Sequence, residues 1–81
     1  MPWLTDAVRE ERRLHIAEAA LRSFGRDGIA GTSMADIITE AGLSAGSIYS
    51  HFSSKTDLMR YASRIAVRDV LYYLQIGRAH V

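Results

Sequence analysis

Ser44, Ala45, Gly46, Ser47, Tyr49, Ser50 and His51 crowd hydrogen-bonding and very small side chains into one short stretch, and no Asp or Glu occurs from Leu43 to Thr56. Hydroxyls, a phenol and an imidazole with no carboxylate among them suit recognition of an outside molecule better than bond breaking. The contacts such a run can make are to phosphate oxygens and base edges, where small residues let the backbone come close. Catalysis is a poor match. Ser50 beside His51 is not a dyad, because neighbours on a helix point in different directions. His15, His51 and His80 lie far apart and have no metal-ligand or triad spacing. There is no Cys, hence no disulfide framework and no thiolate metal site. The expectation is that no catalytic residue, metal or cofactor is involved.

The elements that must present this run are helices. Val8, Ile16, Ala17, Ala20, Leu21 and Phe24 recur at three- and four-residue steps, the period of a buried helix face, with charges from Arg9 to Arg13 opposite. This predicts a first helix from about Asp6 to Asp27, with Thr5 as N-cap and Gly28 as its stop. Ile29 is then expected to fold back on Phe24. Glu11 is the expected partner of His15, and Trp3 a cap over the first helix. A second helix opens on Ser33 with Asp36 three residues on, a capping-box pattern, and carries Met34, Ile37, Ile38 and Ala41 as an apolar stripe. Gly42 ends it and Leu43 plugs the angle to the next helix, which begins at Ser44 and faces Ile48 and Phe52 inward. Gly46 costs that helix about 1 kcal/mol relative to Ala, which suggests a need for close approach. Ser54 with Asp57 starts a fourth helix, with Leu58, Ala62, Ile65 and Ala66 along one side, running through Tyr72.

The sequence has 81 residues, one small domain at most, burying only about 60% of its unfolded surface. Ten basic and nine acidic residues leave a net charge of +1, which advertises no nucleic-acid partner by itself. A DNA contact must therefore come from local arrangement. Three helix starts, at Ser33, Ser44 and Ser54, each present unpaired N–H groups and a partial positive charge. Lys55, in the first turn of the fourth helix, opposes its own helix dipole, which makes sense if a phosphate is its partner. No run approaches the ~20 apolar residues of a membrane span, and the N-terminus lacks the order of a secretory signal. A cytoplasmic, nucleoid-associated protein is expected.

In order along the chain, Ile16, Ala19, Ala20, Phe24, Gly28, Thr32, Ser33, Ile37, Ala41, Gly42, Leu43, Ser44, Gly46, Ser47, Ile48, Tyr49, Phe52, Lys55 and Leu58 closely resemble the DNA-binding domain of the tetracycline-repressor (TetR/AcrR) family of bacterial transcriptional regulators. The resemblance implies an all-α fold: a homeodomain-like three-helix bundle with a helix-turn-helix, plus the start of a long fourth helix. It implies sequence-specific binding of double-stranded DNA at a palindromic operator, by a repressor released by a small-molecule inducer in its full-length form. Phosphate contacts fall by resemblance on Thr32, Ser33 and Lys55. Base and backbone contacts fall on Ser44, Ala45, Gly46, Ser47, Tyr49, Ser50 and His51. Ala45 stands where relatives often carry Lys or Arg, and it can touch a thymine methyl but cannot grip guanine. Ile38 stands where the family usually has Ala, so the two helices are expected to adjust their angle.

Residues 6–60 are thus read as the DNA-binding domain, and 61–75 as a truncated connecting helix toward an absent ligand and dimerisation domain. A homodimer is expected only of the full-length protein, and no inducer site can be assigned. Residues 76–81 back-translate into a common sequencing-library adapter and are read as a non-native tail. A helical protein-interaction module using the same face, or a truncated fragment without function, are the alternatives.

Overall fold

The computed structural model describes residues 2–79, and side chains from residue 5 to 77. Its elements are α1 (Pro2–Asp27), α2 (Met34–Ala41), α3 (Ala45–Tyr49) and α4 (Lys55–Ala79), with no strand among the described residues. The all-α architecture expected from the periodicity and the resemblance is what forms. The readings of Trp3 as a cap, and of His80 and Val81 as tail, concern side chains outside those described.

The core is small because α2 and α3 are short and offer few inward positions. Ile16, Ala19 and Ala20 of α1 meet Ile37 and Ala41 of α2, Ile48 of α3, Phe52, and Leu58 of α4. Phe24, Met34, Ile38, Leu43 and Tyr61 pack around this cluster, half-buried. Ala residues on α1 let it approach its neighbours closely, while the β-branched Ile16, Ile37 and Ile48 fill the centre. Burying an Ile side chain fully contributes about 1.5–3 kcal/mol. Ile38 is accommodated at the edge of the core without being fully enclosed.

Several local expectations are corrected. The first helix begins at Pro2, not Asp6, so Thr5 lies inside it and is not its N-cap. Pro suits such a first turn, where its missing N–H has no partner to lose. Val8 is 53% exposed rather than buried, because α1 projects past the bundle there. Gly28 does stop α1, at φ 80°, its N–H donating to the Phe24 carbonyl at 2.8 Å. Ile29 is 48% exposed. His15 does not need Glu11: its Nε2 lies 2.8 Å from the Ala41 carbonyl, closing the C-terminal end of α2. The fourth helix runs on past Tyr72, with Val67, Val70, Leu71, Tyr72, Tyr73 and Leu74 exposed along it.

Candidate nucleic-acid interface

Three serines open the three helices that follow α1 in the same way. Ser33 Oγ accepts from Asp36 N at 3.1 Å, Ser44 Oγ from Ser47 N at 3.1 Å, and Ser54 Oγ from Asp57 N at 3.2 Å. The first ladder bonds of these helices run from Ile37 N to Ser33 O, Ile48 N to Ser44 O and Leu58 N to Ser54 O. The N–H groups one and two residues after each cap therefore have no helical acceptor. On α2 these belong to Met34 and Ala35, on α3 to Ala45 and Gly46, on α4 to Lys55 and Thr56. At α2 the box closes both ways, with Asp36 Oδ2 accepting from Ser33 N at 2.9 Å. That bond from the Ser33 backbone, then the one with its hydroxyl, holds the Asp36 carboxyl below its ordinary pKa. Asp57 instead accepts a hydrogen bond from the Ser53 hydroxyl.

Between α2 and α3 lie three residues, Gly42, Leu43 and the cap Ser44. Gly42 sits at φ 69°, the left-handed region, where an L side chain is strained. Its N–H is shared by the Ile38 and Thr39 carbonyls, both at 3.2 Å. Ala45 and Gly46 at the start of α3 are exposed, and Tyr49 is 50% exposed. Ser44 uses an oxygen lone pair for its cap, which leaves the hydroxyl proton for another acceptor. Ser47 is half-buried. Ser50 differs: its hydroxyl donates back to the Ser47 carbonyl at 2.6 Å, so only its lone pairs face outward.

Two residues assigned to phosphates by resemblance have inward tasks. Thr32 is only 1% exposed, and its hydroxyl donates to the Gly28 carbonyl at 2.7 Å and the Ser23 carbonyl at 3.3 Å. Its side chain offers nothing polar to the outside here. Lys55 Nζ donates to the Ile29 carbonyl at 2.9 Å and the Thr32 carbonyl at 3.0 Å. This explains a cation in the first turn of its own helix: the ammonium answers carbonyls of the loop before α2, not its helix dipole. It ties the starts of α2 and α4 together. One of its three donors remains.

His51 closes α3. Its backbone carbonyl accepts from Arg13 Nη1 at 2.9 Å. The Arg13 guanidinium lies 4.5 Å from the Phe52 ring centre and 4.7 Å from that of Tyr61. The two rings are tilted to one another with centroids 5.4 Å apart. Tyr61 in turn donates to Glu10. Burial, then the charges of Arg9, Arg13 and Arg12, hold the His51 imidazole below its ordinary pKa. The chain by itself thus favours neutral His51. This Arg13 arrangement was invisible to sequence reasoning: the partners are 38 residues apart and no periodicity links them. On the far side of α2, Arg22 and Arg26 hold Glu40 at 3.3 and 3.0 Å, and their hydrogen bonds, Arg26 first, lower its pKa.

Residues 16–62 match the family described as bacterial regulatory proteins, tetR family. The chain belongs to the tetR family. Among curated relatives, it is 45% identical over 54 residues to the HTH-type transcriptional regulator AcrR of Shigella flexneri, covering 67% of this chain and 25% of that protein. It is 45% identical over 56 residues to the HTH-type transcriptional regulator TtgR of Pseudomonas putida, covering 69% and 27%. To the uncharacterized HTH-type transcriptional regulator YfiR of Bacillus subtilis it is 37% identical over 79 residues, covering 98% and 38%. This tetR-family chain therefore spans about a quarter to two fifths of the length of these relatives. No solved structure matches it significantly. The matched segment begins at Ile16 and ends at Ala62, so it contains all three serine caps and the Gly42 turn. No helix among the described residues is long and apolar enough to cross a membrane.

Proposed function

We propose that the protein binds double-stranded DNA through its helix-turn-helix and serves as the operator-binding part of a transcriptional repressor. The observation that carries this reading is the tetR-family match over the segment that forms the capped α2–turn–α3 unit. In the proposed complex α3 enters the major groove, and Ser44, Ala45, Gly46 and Ser47 reach base edges from its first turn. Tyr49 lies along the sugar-phosphate backbone. Ser33 and the open N–H groups of α2 and α4 hold phosphates, joined by the remaining donor of Lys55. Thr32 acts through the loop it braces. Ser50 and His51 complete the rim, with the His51 imidazole gaining charge when a phosphate offsets the neighbouring arginines.

In the full-length protein the same reading extends to a homodimer on a palindromic operator, released by a small-molecule inducer, in the cytoplasm. The relatives' regulator names support a role in transcription. The test is a gel-shift titration comparing the palindrome upstream of the gene with a scrambled duplex, at several salt concentrations. Preference for the palindrome with steep salt dependence is expected, since phosphate contacts release counterions. Salt-insensitive association, or equal affinity for both duplexes with the dimer domain present, would sink the proposal.

A further inference from the structure

Beside the proposed DNA face, where the end of α3 meets α1 and α4, is a crevice of about 250 Å³. Arg13 and His51 line one part of it, and Asp57, Arg60 and Arg64 line another. It is smaller than the roughly 300 Å³ at which pockets for drug-sized ligands begin, so it suits a single small group. Three guanidiniums against one carboxylate make it cationic. The carboxylate is already engaged, by the Ser53 hydroxyl and by Arg60 at 3.6 Å. That pair is solvent-exposed on both sides, the kind of ion pair that holds its partners weakly. Arg64 has no carboxylate within ion-pair distance among the described residues. His51 Nδ1 is buried and has no hydrogen-bond partner. Buried polar atoms in folded proteins nearly always find one, so an unpaired ring nitrogen beside Arg64 and the weakly held Arg60 calls for a partner from outside.

We propose that this crevice is an oxyanion subsite, in which Arg60 and Arg64 of α4 join the His51 imidazole in holding one phosphate group. A tetrahedral phosphate can accept from a guanidinium in bidentate fashion and from an imidazole N–H together. Arg13 cannot swing in freely, because it is stacked on Phe52 and Tyr61 and bonded to the His51 carbonyl; it fixes the wall against which the anion sits. The phosphate can belong to DNA flanking the α3 footprint, an extension that rests on the DNA-binding reading above, or to a free anion.

The test separates the two sources and uses the whole chain. Inorganic pyrophosphate is titrated while the His51 ring resonances are followed by NMR. A saturable shift is expected, with the His51 titration moving to higher pH as the anion binds, against Arg9, Arg12 and Arg13 on α1 and Arg60 and Arg64 on α4. The Arg60→Gln/Arg64→Gln double variant, altered only at exposed side chains, should melt like the parent and bind pyrophosphate roughly tenfold more weakly or worse. No saturable shift in the parent, or an undiminished shift in the double variant, overturns the subsite. The DNA arm compares the slope of log affinity against log salt. A slope shallower by about 0.9 in the double variant assigns the phosphate to DNA; an unchanged slope with pyrophosphate binding intact in the parent assigns it to a free anion. Failure of the parent to bind DNA at all would strike the proposed function and leave the pyrophosphate result standing.

Discussion

Gly46→Ala separates what the fold needs from what a partner needs. A Cβ built on Gly46 meets nothing within 4 Å, and its φ is not among the positive ones. Nothing inside the protein asks for glycine there. In a helix interior Ala is favoured over Gly by about 1 kcal/mol. Gly46 is the second residue of a five-residue helix, so somewhat less than that is expected. For a domain of this size a gain approaching 1 kcal/mol raises the melting temperature by up to about 4–8 °C. DNA binding should move the other way. The Gly46 N–H has no acceptor in the helix, and a methyl beside it blocks close approach of a phosphate or base edge. Loss of one hydrogen bond to a charged group costs about 1.5–3 kcal/mol, or roughly 10- to 150-fold in affinity. Thermal melts of the chain and fluorescence anisotropy on a duplex carrying the upstream palindrome measure both. Lower stability would mean the space around Gly46 is not open. Unchanged affinity would refute the argument that Gly46 is kept free for a partner's approach.

Other residues give further tests. Lys55→Met keeps the aliphatic stem but removes both bonds to the Ile29 and Thr32 carbonyls; a loss of about 1 kcal/mol and faster amide exchange in residues 29–33 are expected. Arg13→Lys retains charge but not the planar stack between Phe52 and Tyr61, and should destabilise by about 0.5–2 kcal/mol in denaturant titration. Gly31→Ala places a Cβ 2.4 Å from the Asp27 carbonyl oxygen, so backbone must shift; a cost of about 1–3 kcal/mol is expected by the same assay. His51 is held below its ordinary pKa of 6.5 in the fold, so the unfolded chain binds more protons through that window. Its contribution to stability is thus absent as a penalty above pH 6.5 and grows as a penalty when pH falls below it. His51→Gln should flatten this part of the stability–pH curve.

The helices were legible because their signals are local. Ser33 and Asp36, Ser44 and Ser47, Ser54 and Asp57 sit three apart, the reach of a capping side chain, and the apolar steps through Ile37, Ala41, Ile48 and Phe52 name their own faces. The start of α1 was misplaced because a Thr before charged residues looks like a cap when the helix has in fact begun at Pro2. What lay outside reach was every contact whose partners are remote in the chain. His15 on the Ala41 carbonyl, Arg13 on the His51 carbonyl and Lys55 on the Thr32 carbonyl span 26, 38 and 23 residues. In each, a side chain meets a backbone oxygen, and every residue type has that oxygen, so composition carries no trace of it.

Thr32 and Lys55 show how this bears on the proposed interface. The loop from Gly28 to Thr32 has carbonyls outside any helix ladder, and unpaired carbonyls near a core are costly. Thr32 answers the Gly28 carbonyl and reaches back to that of Ser23 in α1, and Lys55 answers those of Ile29 and Thr32 itself. The two side chains thus form a chain of bonds from α1 through the loop to α4, with the α2 start at Ser33 held between. A Thr and a Lys at these positions are what the loop needs whether or not a phosphate is present. Their place in a DNA-binding pattern then follows from positioning: they set where the open N–H groups of Met34, Ala35 and Thr56 lie. On this argument, replacing either should first disturb the relative placement of the α2 and α4 starts. Any DNA defect of Thr32→Val should therefore track loss of loop order in amide exchange, and a Thr32→Val protein with an ordered loop should bind DNA as the parent does.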